Sequence, residues 1–184
     1  MKKPLLIGIG IVLLLGILIF NFYRSTYDKA VDLQETVDQR WGDVSASYQR
    51  RADLVPNLVA TVKGASEVER DILTTVTEAR AGIVQAKTPQ DLDIAGRKIN
   101  TAINLAFEAY PQIRSTEGFR DLQAQLEGTE NRIAYARNNY NEAVKNYNTH
   151  VRGFLPRMVL GDEFEKREAF TESAGAENAP EVAF

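Results

Sequence analysis

The sequence has no cysteine and only one histidine, His150. Without cysteine the chain forms no disulfide, has no cysteine nucleophile and offers no thiolate ligand. A single histidine cannot build a multi-histidine metal centre, and the sequence shows neither a histidine relay nor a phosphate-binding loop. The formal net charge of −3 does not match the basic surface that nucleic acids require. We therefore predict a protein that is not an enzyme, needs no cofactor or metal, and does not bind nucleic acid.

An uncharged apolar run, LLIGIGIVLLLGILIF, extends from Leu5 through Leu13 to Phe20. With its neighbours it reaches the roughly 20 residues that a helix needs to cross the hydrocarbon core of a bilayer. Lysines precede it, and aromatic residues and Arg24 follow it, as is usual at membrane interfaces. A cleaved signal peptide is the alternative, but the run exceeds the usual apolar region and no small-x-small motif follows. We predict an uncleaved transmembrane anchor over residues 1–24.

The first helix after the anchor is indicated by residues spaced alternately three and four apart, which lie on one face of a helix. These residues are Tyr27, Ala30, Gln34, Val37, Trp41, Val44 and Tyr48. We expect the helix to continue to about Ala52. Pro56 lacks a backbone N–H and disfavours helix at Val55. The sequence therefore predicts either a turn between Ala52 and Val55 or a sharp kink, with Asp53 placed to cap a second helix.

Apolar residues at helical spacing continue beyond this point, and the second helix is expected to end at about Ala86. The sequence Thr88-Pro89-Gln90-Asp91 then indicates a helix start. Threonine is a good N-cap, proline fits the first helical position, and an acid near the N-terminus matches the helix dipole. The third helix is predicted to stop or kink at Pro111, since proline cannot continue the hydrogen-bond pattern.

The fourth helix is predicted from about Gly118 to Gly153, and strand or hairpin signals are few along the whole chain. The fold is therefore predicted to be all-α, with an N-terminal transmembrane helix followed by an antiparallel bundle of three to four long helices over residues 25–161. After Gly161 the composition changes to seven acidic residues against two basic ones. This composition predicts an acidic flexible tail over residues 162–184.

Two arginines, an acid, a proline and an asparagine stand close together at Arg50, Arg51, Asp53, Pro56 and Asn57. The group has two interpretations. It is either an anion site or partner-docking patch, or a set of arginine–acid pairs that holds a helix connection together. No general base is signalled near Asn57, so the residues do not suggest catalysis.

Asparagine is unusually frequent in the second half of the fourth helix, where Asn138, Asn139 and Asn141 surround Tyr140. Because asparagine is a poor helix former, contacts from outside the helix have to hold this segment helical. Those contacts are either hydrogen bonds inside the bundle or an interface with another protein, and the sequence leaves both open.

Several motifs together resemble those of the LemA family of bacterial membrane proteins, and the resemblance covers essentially the whole chain. It depends on the N-terminal apolar run, Trp41, the block RRADLVPNLVATVKG at 50–64, Ala79-Arg80-Ala81, Asn138-Asn139-Tyr140-Asn141, Tyr147-Asn148 and the segment 180–184. The resemblance implies a membrane-anchored helical domain without established enzymatic activity, found alongside membrane-bound metalloproteases and other envelope proteins.

From the resemblance and the apolar run together we predict a single-pass protein of the bacterial inner membrane. Its expected role is a non-enzymatic scaffold that self-associates or organises envelope proteins, so its partners are the lipid bilayer, a second copy and an envelope protein. The alternative is a regulatory adaptor for a membrane-bound envelope protease. Basic residues near the two ends of the span are almost balanced. We expect the helical domain outside the cytoplasm, although accounts of the family place it in the cytoplasm in some cases.

Overall fold

The computed structural model describes residues 2–61, 67–110 and 117–171 of the chain. Over these ranges the protein contains five α-helices and no strand. The helices are α1 (Lys2–Thr61), α2 (Glu67–Gln85), α3 (Pro89–Ala109), α4 (Glu117–Val151) and α5 (Phe154–Leu160). The all-α prediction is confirmed. The segment 180–184 and the rest of the acidic end beyond Thr171 lie outside the described residues.

The N-terminal part of α1 is apolar and exposed. Within the described residues, α1 is the one helix that is long and apolar enough to cross a membrane, with a mean hydropathy of 2.5 over its most apolar window and none of that window buried. Both Leu13 and Phe20 are more than half exposed, and the backbone at Leu5 is helical. These features are consistent with the predicted membrane anchor.

The helix α1 continues without interruption through Pro56 to Thr61. Of the two predicted alternatives, the turn between Ala52 and Val55 is therefore wrong, and so is the prediction that Asp53 caps a new helix. The alternative of a kink stays a prediction. A proline inside a helix removes one backbone hydrogen bond and costs about 3 kcal/mol. Here Ala52 and Val55 are completely buried, and their packing offsets that cost.

The chain divides into two compact units. The first combines the described parts of 1–39 and 142–167, and the second combines those of 40–141 and 168–184. The sequence-based boundary between the anchor and the helical domain at residue 24 stays a prediction.

Each unit has its own core, and the buried residues include Ala30, Val37, Val44 and Tyr48 of the face predicted from helical spacing. In the first unit the buried residues are Thr26, Ala30, Val37, Ala143, Val144, Tyr147, Val151 and Leu160. In the second unit α2 packs on α3, and α1, α2, α3 and α4 all contribute buried residues. These include Val44, Tyr48, Val55, Ile72, Val76, Ile83, Leu92, Ile99, Ile103, Leu126 and Ile133.

The start of α3 confirms the predicted cap. The Thr88 hydroxyl accepts a hydrogen bond from the Asp91 N–H at 3.2 Å, and the Asp91 carboxylate accepts one from the Thr88 N–H at 2.9 Å. A further backbone N–H, that of Lys87, donates to the same carboxylate at 3.0 Å. The hydrogen bonds from Lys87 and Thr88 lower the pKa of Asp91 below its usual value. Pro89 occupies the first turn, where its missing N–H costs nothing.

Candidate protein-binding site

The second unit contains a cluster of three aromatic rings. Trp41 of α1 lies 5.5 Å from Tyr140 of α4 and 6.3 Å from Phe170, measured between ring centroids. The Trp41 and Phe170 rings are nearly parallel, and Tyr140 meets Phe170 edge-on at 5.4 Å. The Arg137 guanidinium lies over the Phe170 ring at 4.6 Å. Phe170 is only 5% exposed, so this cluster buries an aromatic residue from the chain that follows α5.

Side chains of α4 bind the backbone of residues 168–171, which we call the strap. The Tyr140 hydroxyl donates to the carbonyl of Glu168 at 3.0 Å. The Asn141 amide donates to the Phe170 carbonyl at 3.0 Å and accepts from the Phe170 N–H at 2.8 Å. Arg137 donates to the carbonyl of Thr171 at 3.2 Å. One asparagine thus satisfies both backbone groups of one residue, as a neighbouring β-strand would.

The first unit repeats this arrangement with another tyrosine–asparagine pair of α4. Tyr147 donates to the carbonyl of Glu165 at 2.9 Å. Asn148 donates to the Arg167 carbonyl at 2.8 Å and accepts from the Arg167 N–H at 2.9 Å. The two pairs are seven residues apart in the sequence, and their backbone partners are three residues apart.

These hydrogen bonds concern the first part of the predicted tail. Residues 165–171 belong to the acidic segment over 162–184, whose flexibility stays a prediction. Each tyrosine–asparagine pair satisfies three backbone groups, and Phe170 is buried. The composition of the tail does not reveal these contacts, because the side chains that make them belong to α4.

A polar contact joins three helices of the second unit beside the aromatic cluster. The Tyr48 hydroxyl of α1 donates to the Asp93 carboxylate of α3 at 3.3 Å, and Arg137 of α4 pairs with the same carboxylate at 3.1 Å. Burial raises the pKa of Tyr48 to about 12. The α3 backbone approaches the tyrosine closely at Gly96, where a Cβ atom would lie 2.5 Å from the Tyr48 Cε1 atom.

Ion pairs between helices account for part of the predicted junction group. Arg51 of α1 pairs with Glu130 of α4, and Asp53 of α1 pairs with Arg80 of α2. The Arg51 side chain is 13% exposed, and burial lowers the pKa of its guanidinium. These contacts favour the structural interpretation of Arg51 and Asp53 over a free anion site. Pro56 is half-buried within α1.

A groove of about 560 Å³ lies between α1 and α4 in the second unit. Its charged lining comprises Arg40, Arg50 and Arg132 against the single carboxylate of Asp43. Arg40 pairs with Asp43 at 3.1 Å, whereas Arg50 and Arg132 form no ion pair with any residue in the described part of the chain. Tyr135 also lines the groove and is 70% exposed. The groove is therefore basic although the whole chain is acidic.

The structure separates the predicted asparagine group into different surroundings. Tyr140 and Asn141 hold the strap, Asn139 lines the basic groove, and Asn138 is exposed. Asn57 is also exposed, on α1. The predicted residues therefore do not form one site.

Trp41, Arg137 and Phe170 complete the aromatic cluster but were not among the predicted site residues. A sequence signal existed in the repeat of Tyr-Asn at positions 140–141 and 147–148. Within residues 2–61, 67–110 and 117–171, no three histidine or carboxylate side chains are grouped so that they can hold a metal ion.

Comparison with known proteins assigns the chain to a family. The model of the LemA family matches residues 40–184, which include every element of the second unit. The chain belongs to the LemA family. Protein LemA of Metamycoplasma hominis is 21% identical to it over 169 residues, a match that covers 86% of this chain and 77% of the relative. The resemblance identified from the motifs is confirmed, and LemA proteins are not a known enzyme family.

Proposed function

We propose that this LemA protein is a non-enzymatic, single-pass scaffold of the bacterial inner membrane that self-associates and thereby organises envelope proteins. The observation that carries the proposal is that one unbroken helix, α1, joins an exposed apolar segment to buried packing positions. Twelve large apolar residues between Leu6 and Phe20 are each at least half exposed. At about 1.5–3 kcal/mol per side chain, covering them with hydrocarbon stabilises the protein on the order of 20 kcal/mol.

Anchoring places the helical domain close to the bilayer. The first buried positions of α1, Thr26 and Ala30, follow Phe20 by six and ten residues, and the chain between them is helical. Copies held at one membrane meet at a high effective concentration, so a weak contact between them is sufficient for association.

The basic groove of the second unit is the surface that we propose for this contact. Three arginines face one aspartate there, in a chain of formal net charge −3. In the proposed contact, carboxylates of a second copy pair with the arginines of the groove. Exposed Tyr135 supplies an amphipathic side chain of the kind that is enriched at protein interfaces.

The test is the mass of the full-length protein in detergent and in lipid nanodiscs, measured by light scattering against the monomer mass of 20.6 kDa. We expect a defined oligomer that dissociates in the double variant Arg50→Glu and Arg132→Glu, and that weakens at high ionic strength because exposed charges are screened. The matched control, Arg97→Glu with Arg120→Glu, makes the same charge change at exposed positions outside the groove and is expected to remain oligomeric.

A monomer in both environments would rule out self-association. The search would then turn to the adaptor role at a membrane-bound envelope protease, which stays a prediction of the family resemblance. Placement of the helical domain outside the cytoplasm likewise stays a prediction.

A further inference from the structure

The short helix α5 exposes three large apolar side chains in the first unit. Phe154 is 80% exposed, Leu155 54% and Met158 73%. Positions 154 and 158 are one helical turn apart and 155 lies next to 154, so the three residues share one side of the helix. We call them the α5 patch. On another side of α5, Leu160 is buried and fixes the helix to the first unit.

Contacts on both sides of α5 place it near the apolar part of α1. Before α5, the His150 Nε2 atom lies 3.1 Å from the carbonyl oxygen of Thr26. After α5, the Tyr27 hydroxyl donates to the Glu163 carboxylate at 2.9 Å, and the Phe164 ring meets the Tyr27 ring edge-on at 5.4 Å. The chain that carries the patch therefore leaves and returns to α1 at residues 26 and 27.

The chain that follows α5 runs along α1, away from the apolar segment. Arg167 pairs with Asp38 at 3.2 Å, whereas Glu163 binds Tyr27. From 167 back to 163 the chain thus moves eleven residues along α1, about 16 Å of helix, towards the apolar segment. The helix α5 lies between residues 150 and 163, which contact α1 at residues 26 and 27, close to the end of the apolar run.

The residues of α1 that hold the α5 turn lie close to the membrane interface, measured along the helix axis. The uncharged apolar run ends at Phe20, and Tyr23 lies three residues further, about 4.5 Å along the helix. Tyr27 follows after another turn, within about 11 Å of Phe20. The headgroup region on each side of a bilayer is roughly 5–8 Å thick, and aromatic side chains such as Tyr23 prefer that layer. The α5 turn, fastened at residues 26 and 27, therefore lies where its apolar side chains reach the interface.

We propose that the α5 patch is a second membrane contact, in which Phe154, Leu155 and Met158 insert into the interfacial layer of the bilayer that holds α1. This inference rests on the membrane anchoring in the proposed function. Arg152 and Arg157 flank the patch, and their charge suits a bilayer that contains anionic lipid. With two attachments the first unit keeps a fixed orientation on the membrane, whereas one helix alone permits rotation about its axis.

The absence of cysteine allows a direct test by single-site labelling. Full-length Met158→Cys carries an environment-sensitive nitrobenzoxadiazole label and is reconstituted in vesicles of phosphatidylcholine and phosphatidylglycerol. We expect its emission to shift to shorter wavelength, and its intensity to fall when lipids with a spin label in the acyl chain are included. The control Val84→Cys carries the same label at a comparably exposed position of α2, outside the basic groove, and is expected to show neither effect.

A third labelled variant, Leu13→Cys, separates this inference from the anchoring on which it depends. If the Leu13 label is quenched while the Met158 label behaves like the Val84 label, α5 does not contact the bilayer and the inference is overturned. If the Leu13 label is not quenched either, the membrane anchoring itself fails. A second patch variant, Phe154→Cys, is expected to repeat the Met158 result; its failure to do so would limit the contact to one residue and contradict insertion of the patch.

Discussion

Replacing Phe170 by alanine tests whether the strap is an integral part of the second unit. The ring contacts Trp41 and Tyr140, and the Arg137 guanidinium covers it at 4.6 Å. Removing the ring leaves a cavity between α1 and α4 that the flanking aromatic rings fill only in part. The hydrogen bonds of Asn141 to the backbone of residue 170 remain available in the variant.

The expected cost follows from the burial of the ring. Phenylalanine-to-alanine substitutions in a core cost about 3–5 kcal/mol, and loss of a partly exposed cation–π contact adds about 0.5–1 kcal/mol. The strap is joined to the core mainly by this ring and by a few side-chain hydrogen bonds, so it can detach while the helices stay folded. We therefore expect a loss of about 3.5–6 kcal/mol in the free energy of strap attachment and a smaller loss in the unfolding free energy of the helices.

The single tryptophan makes the two events separable. Trp41 fluorescence reports the aromatic cluster, and far-ultraviolet circular dichroism reports the helices, during urea unfolding of the full-length protein in detergent. In Phe170→Ala we expect the fluorescence transition to move to lower urea than the circular dichroism transition. The control Val84→Ala changes an apolar side chain that is 76% exposed and is expected to stay within about 0.5 kcal/mol of the wild type.

A fluorescence transition in Phe170→Ala within about 0.5 kcal/mol of the wild type would refute the packing of Phe170 against Trp41. If fluorescence and circular dichroism report the same loss of unfolding free energy, the strap unfolds together with the helices. That result would refute its independent detachment.

Two further substitutions test the contacts of Tyr48. Gly96→Ala is expected to destabilise the protein to urea by about 1–3 kcal/mol, because the new Cβ overlaps the Tyr48 ring; the control Gly128→Ala, which meets nothing within 4 Å, is expected to stabilise it by about 0.5–1 kcal/mol through helix propensity. Stabilisation in both variants would show that Tyr48 does not pack on α3.

The second test concerns pH, since the folded pKa of Tyr48 is about 12 and its ordinary value is 10.0. The raised pKa contributes up to about 3 kcal/mol to the free energy of unfolding. This contribution is fully present below pH 10 and is lost as the pH rises to 12, because Tyr48 loses its hydroxyl proton at lower pH in the unfolded chain than in the folded protein. The difference in unfolding free energy between the wild type and Tyr48→Phe should therefore fall over this range, and a constant difference would contradict the burial of the hydroxyl.

Local patterns were sufficient for much of the fold. The Thr88 cap was predictable because threonine, proline and an acid at that spacing satisfy the first backbone groups of a helix without help from the rest of the chain. The buried positions Ala30, Val37 and Val44 were predictable because a helix repeats every 3.6 residues whatever it packs against. The apolar run from Leu5 to Phe20 was equally plain, since its length and composition alone match a bilayer.

The candidate sites were less predictable, because their residues act through partners that are distant in sequence. Local preference at Pro56 favoured a turn, but burial of Ala52 and Val55 keeps α1 continuous. The partner of Asn141, Phe170, lies 29 residues further along the chain. Its acidic surroundings are typical of a flexible tail, and nothing in them indicates that an asparagine of α4 binds its backbone.

By itself the sequence determined that the protein is helical, where most of its buried positions lie, and that one end suits a membrane, because periodicity, capping and hydropathy are properties of neighbouring residues. Tertiary structure alone decided that Tyr140 and Asn141 bind the strap, that the arginines of α1 divide between ion pairs and an open groove, and that the α5 patch lies beside Tyr27. These contacts join side chains that are distant in sequence, so they are determined by how the helices pack and not by local sequence patterns.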